Sequence, residues 1–160
     1  MLYSFIIERN RFLSKRTQGY HHTYYTGYNQ PDNPNFLNTI KNTFNTNSEY
    51  QLNIAKNQVI DILIEDIPLI MEKNNWKDCI CVSIPRAKSI HTYTDKQLYL
   101  IKAISEAASL IDGVSDGTNF VERHTNTKTT HLPVTTGHVT YLGQVDTNDG
   151  PSPYPRINKD

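Results

Sequence analysis

The stretch Asp78-Cys79-Ile80-Cys81-Val82-Ser83-Ile84, closed by Pro85, is nearly continuously apolar and built of β-favouring residues. Strict alternation would mark a strand with one wet face. A continuous apolar run instead marks a strand covered on both faces, as in a parallel sheet. Upstream, Leu52, Ala55, Val59, Ile62 and Leu63 recur at helical spacing and predict a helix over 50–65. Asp66-Ile67-Pro68 reads as a stop and restart, because Asp66 can cap and proline is tolerated in a first turn. A second helical piece then runs to Asn74. Downstream, Thr94 or Asp95 caps a helix whose apolar face is Leu100, Ile104, Ala107, Ala108 and Ile111, with Gly113 as terminator. Helix, buried strand, loop, helix is the repeating unit of an α/β sheet. The expected fold class is therefore α/β, with a parallel core sheet and flanking helices.

Away from this centre the signals are shorter. Residues 2–8 predict a strand and residues 35–44 a short helix. Residues 9–34, punctuated by Gly19, Gly27, Pro31 and Pro34, read as irregular structure, so that 1–34 forms an irregular N-terminal segment. Residues 119–122 predict a strand, 123–130 a threonine-rich polar loop, and 134–145 a second strand-like segment. Residues 148–155 form a turn-rich tail. No internal repeat is present.

At 160 residues the chain is expected to form a single domain. Its 37% apolar and 10% aromatic content, with zero formal net charge, lies outside the disordered range. The balanced charge argues against a general nucleic-acid or anionic-membrane binder. No apolar run reaches the length of a membrane helix. The N-terminal Leu2-Tyr3-Ser4-Phe5-Ile6-Ile7 is interrupted by Glu8-Arg9-Asn10-Arg11 and does not read as a signal peptide. Cys79 and Cys81, the chain's two cysteines, are neighbours on one strand face, where a disulfide would be strained. A reducing, cytoplasmic setting is expected.

Three clusters can carry chemistry. Ser83-Ile84-Pro85-Arg86-Ala87-Lys88-Ser89 follows the carboxyl end of the central strand, where open α/β sheets bind ligands. A hydroxyl, two cations and loop N–H groups there suit a phosphate or diphosphate. A solvated surface loop is the plainer reading. Glu122-Arg123-His124-Thr125-Asn126-Thr127-Lys128-Thr129-Thr130-His131 can act as a flexible loop closing over a charged substrate, or simply as an exposed connection. His21-His22, among Tyr20, Tyr24, Tyr25 and Tyr28, hints at metal but has no partner at ligand spacing. The tyrosines can stack on a base or pack a loop. The strand setting makes Cys79 and Cys81 small buried apolar groups more readily than reactive thiols.

Cys81-Val82-Ser83-Ile84-Pro85-Arg86-Ala87-Lys88, Asp116-Gly117-Thr118 and Arg123-His124-Thr125-Asn126-Thr127-Lys128-Thr129-Thr130-His131-Leu132 together resemble bacterial amidophosphoribosyltransferase-like proteins, relatives of the competence-type phosphoribosyltransferases. Asp149-Gly150-Pro151-Ser152-Pro153-Tyr154-Pro155, with Ile157 and Lys159-Asp160, extends the likeness over roughly the last half of the chain. The resemblance implies a type I phosphoribosyltransferase fold and ribose 5-phosphate transfer from phosphoribosyl pyrophosphate with Mg2+, the glycosyltransferase chemistry of nucleotide metabolism. It implies diphosphate binding by Ser83, Arg86 and Lys88, and a flexible loop carrying Arg123, His124, Lys128 and His131.

One departure limits the likeness. The family's phosphate site is an apolar strand ending in two acids, followed by a small-residue loop. No such run occurs here. Ile62-Leu63-Ile64-Glu65-Asp66 ends in two acids, but lies in a helical pattern and continues with Ile67-Pro68-Leu69-Ile70. The expectation is a C-terminally incomplete member without appreciable transferase activity of its own, because ribosyl transfer would lack its anchoring contacts. The alternatives are a non-catalytic interaction protein, as a homo-oligomer or a partner subunit, and a single-stranded nucleic-acid binder. The latter would use Arg9, Arg11, Lys15 and Arg16 with the interleaved tyrosines.

Overall fold

A computed structural model describes residues 1–10, 13–24, 33–84, 86, 89–123, 137–141 and 147–149, the last two stretches by their backbone course. Strands β1 (Tyr3–Ile7) and β2 (Thr17–His21) come first, then helices α1 (Asn35–Lys41) and α2 (Glu49–Asn74). Strand β3 (Cys79–Cys81), helix α3 (Tyr99–Leu110) and strand β4 (Val114–Asp116) follow. Strands β5 (Val121–Arg123), β6 (Gly137–Tyr141) and β7 (Thr147–Asp149) complete the order.

β3 and β4 run parallel, Cys79 opposite Val114 and Cys81 opposite Asp116. No strand is expected from the sequence at 114–116, but parallel neighbours need a crossover and α3 supplies it, so an α/β unit is present as β3-α3-β4. The expected double burial of the central strand is not. The strand spans three residues, Ile80 is 55% exposed and Ile84 92% exposed. Cys79, Cys81 and Asp116 share the face on α3, since Ser105 of α3 hydrogen-bonds Asp116. Ile80 and Val82 lie on the opposite face, which no described layer covers. The apolar run records the strand's preference, but a second layer is needed to bury its second side.

Three helices make the core. Ile40 of α1, Ala55, Val59 and Ile60 of α2, and Ala103 and Ala107 of α3 pack together, flanked by Phe36, Leu63, Tyr99 and Leu100. The stripe on α3 passes through Ala103, Ala107 and Ala108, while the expected Ile104 is only half-buried. Alanines let the helices approach closely, and the larger side chains of α1 and α2 fill the space. Ser48 starts α2 with a reciprocal capping box: the Gln51 N–H donates to Ser48 Oγ at 3.3 Å, and the Ser48 N–H donates to Gln51 Oε1 at 3.0 Å.

α2 corrects a second expectation. It does not stop at Asp66 but continues through Pro68 to Asn74. Buried Val59 and Ile60 lie before the proline and Ile67 and Met71 around and after it, so continuity preserves apolar burial on both sides. That burial outweighs the lost backbone hydrogen bond.

The N-terminal segment is also more ordered than expected. β2, inside the stretch read as irregular, pairs antiparallel with β1 from Tyr3 opposite His21 to Ile7 opposite Thr17. The Phe5 ring lies directly across Gly19, in the space a Cβ would take. Two side-chain bonds tie the hairpin to α2. Asn74 Nδ2 donates to Tyr20 Oη at 2.8 Å, and His22 Nδ1 meets buried Asp66 Oδ2 at 2.9 Å.

β5, β6 and β7 form an antiparallel sheet in that order, and β7 occupies part of the region read as tail. Among the described residues, no helix is long and apolar enough to cross a membrane.

Candidate functional site

Beyond the carboxyl ends of β3 and β4 lies a cavity of about 320 Å³. Its wall includes Ser83, Arg86, His91, Thr118, Glu122 and Arg123. Two of the sequence clusters therefore meet in space, the first through Ser83 and Arg86, the second through Glu122 and Arg123. Lys88, His124, Lys128 and His131 lie outside the described residues.

The backbone after β4 shapes the floor. The Gly117 N–H donates to Cys81 O at 2.8 Å, extending the parallel ladder by one step. A Cβ on Gly117 would stand 2.5 Å from Ile80 Cγ2, so only glycine fits beneath β3. Asp116 Oδ1 accepts the Thr118 N–H at 2.9 Å and holds buried Thr118 against the cavity. The Ser105 hydroxyl and this Thr118 N–H keep the Asp116 carboxyl below its ordinary pKa. Ser83 is buried two residues past the end of β3.

Arg86 is engaged structurally as well as lining the cavity. Its Nη1 donates to Lys41 O at 2.9 Å and Gln97 O at 3.1 Å, and its guanidinium lies 4.5 Å from the centre of the Tyr93 ring. It thus closes the carbonyl end of α1, where a cation is favoured. Sequence spacing could not reveal this, because the Lys41 acceptor lies 45 residues away in the chain. Arg123 is half-buried on β5. Its neighbour Glu122 reaches His91 Nε2 at 3.0 Å, although His91 is largely exposed and such a pair contributes little stability. His91 and Tyr93 belong to this wall, yet no motif in the sequence joined them to Ser83.

Arg86 and Arg123 line the cavity with Glu122 as the one carboxylate among the described lining residues, an excess of positive charge suited to an anion. Magnesium fits less well as a resident ion. Among the described residues no group of three His, Cys, Asp or Glu side chains can hold a metal. Glu122 is the sole carboxylate on the cavity wall among the described residues. Magnesium bound largely by phosphate oxygens would have to arrive with its ligand.

The other candidates separate from this site. His22 is committed to Asp66, and His21 stacks on Tyr3 with ring centres 5.2 Å apart. Burial pushes the Cys79 and Cys81 thiols above their ordinary range, opposite to the shift that makes a nucleophile. Ile62 to Asp66 lies inside α2. In comparison with known proteins, no family model, no curated protein and no solved structure matches the chain.

Proposed function

We propose that this chain is a phosphoribosyltransferase-like binding domain that holds the diphosphate of phosphoribosyl pyrophosphate, or of a related phosphorylated sugar, in the cavity beyond β3 and β4. The observation that carries this reading is the convergence of Ser83, Arg86 and Arg123 on one wall, from segments separated by the whole α3 crossover. A cavity of about 320 Å³ suits a small ligand better than a polymer. Ribosyl transfer by this chain alone is not part of the proposal, since no acid pair with a small-residue phosphate loop occurs in residues 1–160.

Titration calorimetry with phosphoribosyl pyrophosphate and magnesium, and separately with inorganic diphosphate, tests it. Saturable heat is expected with both, weakened about tenfold or more by Arg123→Ala. Absence of heat at millimolar ligand overturns the proposal. A second reading, a subunit that docks on a partner protein or on its own copy, is favoured by the exposed Ile80 and Val82 on the open side of β3 and just past it, with Ile84 92% exposed beyond. Light scattering that reports a monomer, unchanged by Ile80→Ser, counts against self-association through that face.

A further inference from the structure

The hairpin of β1 and β2 has two dissimilar faces. Tyr20 points toward α2, as does His22 just past the strand. The opposite face carries Tyr3, Phe5 and His21, with Tyr24 folded back onto them. Tyr3–His21, Phe5–His21 and His21–Tyr24 ring centres are 5.2, 5.9 and 4.8 Å apart, so the rings form one continuous strip. This strip is open: Phe5 is 48% exposed and Tyr24 63% exposed. Large apolar rings held in a row in water are a surface awaiting a flat ligand.

The charge beside it specifies the occupant. The whole chain is neutral, yet residues 1–31 contain Arg9, Arg11, Lys15 and Arg16 against the single acid Glu8. Arg9, Lys15 and Arg16 are exposed where β1 turns into β2. Arg16 is held by Glu8 at 3.0 Å, but both side chains are largely exposed, and such a pair yields readily to a stronger anion. Alternate residues of a strand stand about 7 Å apart, enough for Tyr3 and Phe5 each to receive its own base. We infer that this hairpin face binds single-stranded nucleic acid, bases stacking on Tyr3, Phe5 and Tyr24 and backbone phosphates meeting Arg9, Lys15 and Arg16. An acidic peptide would satisfy the cations and leave the rings unused. A duplex would hide its base faces.

Fluorescence anisotropy of the intact chain with labelled oligo-dT and oligo-U in low salt tests this. Binding is expected to fall about tenfold or more in Tyr3→Ala/Phe5→Ala. It should also fall with salt at a logarithmic slope of about −2, the value for three phosphate contacts on a single strand. Ile6→Ala, on the other face, should leave binding unchanged, and circular dichroism checks that each variant stays folded. Arg123→Ala should have no effect, which separates this surface from the cavity. Three outcomes overturn the inference: no anisotropy change, equal affinity for duplex, or binding that survives loss of both rings. Sedimentation showing self-association abolished by Phe5→Ala would also overturn it, assigning the strip to a second copy.

Discussion

Arg86 joins three places at once, and its removal should therefore register in stability as well as in binding. Arg86→Ala frees the carbonyls of Lys41 and Gln97 and uncovers Tyr93. An expected loss of about 1.5–3 kcal/mol, the range for hydrogen bonds to charged groups, would appear as a lower urea midpoint. Asp116 gives a pH dependence of definite sign. Its folded pKa lies below the unfolded value, so its contribution is present above about pH 4 and is lost as pH falls through the folded pKa. In Asp116→Asn the fall in stability between about pH 5 and pH 3 should be shallower, as read by urea unfolding at each pH.

At the scale of elements, Pro68 within α2 offers a direct test. The proline removes one backbone hydrogen bond, and its side is exposed. Pro68→Ala should stabilise the chain by about 2 kcal/mol, the helix penalty of proline less the freedom regained by the unfolded chain, raising the melting temperature. Gly113 should respond in the opposite direction. Its φ is +75°, and an added Cβ would collide with the Lys77 carbonyl, so Gly113→Ala should cost more than the ~1–2 kcal/mol of a left-handed residue alone. Of the expected caps, Asp66 lies inside α2 and Thr94 caps a short 3-10 turn ahead of α3, not α3 itself. The helical stretches and Gly113 were legible in the sequence because spacing and turn chemistry are local properties. The passage of α2 through Pro68 was not, because it depends on what Ile67 and Met71 bury. Nor was β2, a five-residue strand whose partner β1 lies across the hairpin.

For the whole molecule, the legible parts are β3, α3 and the assignment of Ser83 and Arg86 to the carboxyl end of β3, whereas the three-residue β4 carried no signal long enough to mark it. The convergence with Glu122 and Arg123 was hidden from spacing and implied only by the family resemblance, since it is created by the turn from Asp116 to Thr118 that redirects the chain into β5. The engagement of Arg86 with α1 was hidden for the same reason: its partners lie far away in sequence. The open face of β3 contradicts a pattern that usually signals burial. That difference distinguishes a strand's composition from the number of layers around it.

The α3 crossover also imposes an order of events. β3 and β4 cannot pair until the intervening chain has closed, whereas α2 and α3 gain stability from helix formation within each and from the alanine stripe between them. The helical nucleus should therefore assemble first and the parallel pair last. In stopped-flow refolding, Ala107→Gly is expected to slow folding, and Val114→Ala chiefly to hasten unfolding. The cavity, formed only where that late pair ends, would then be the last part of the molecule to appear and the first to be lost.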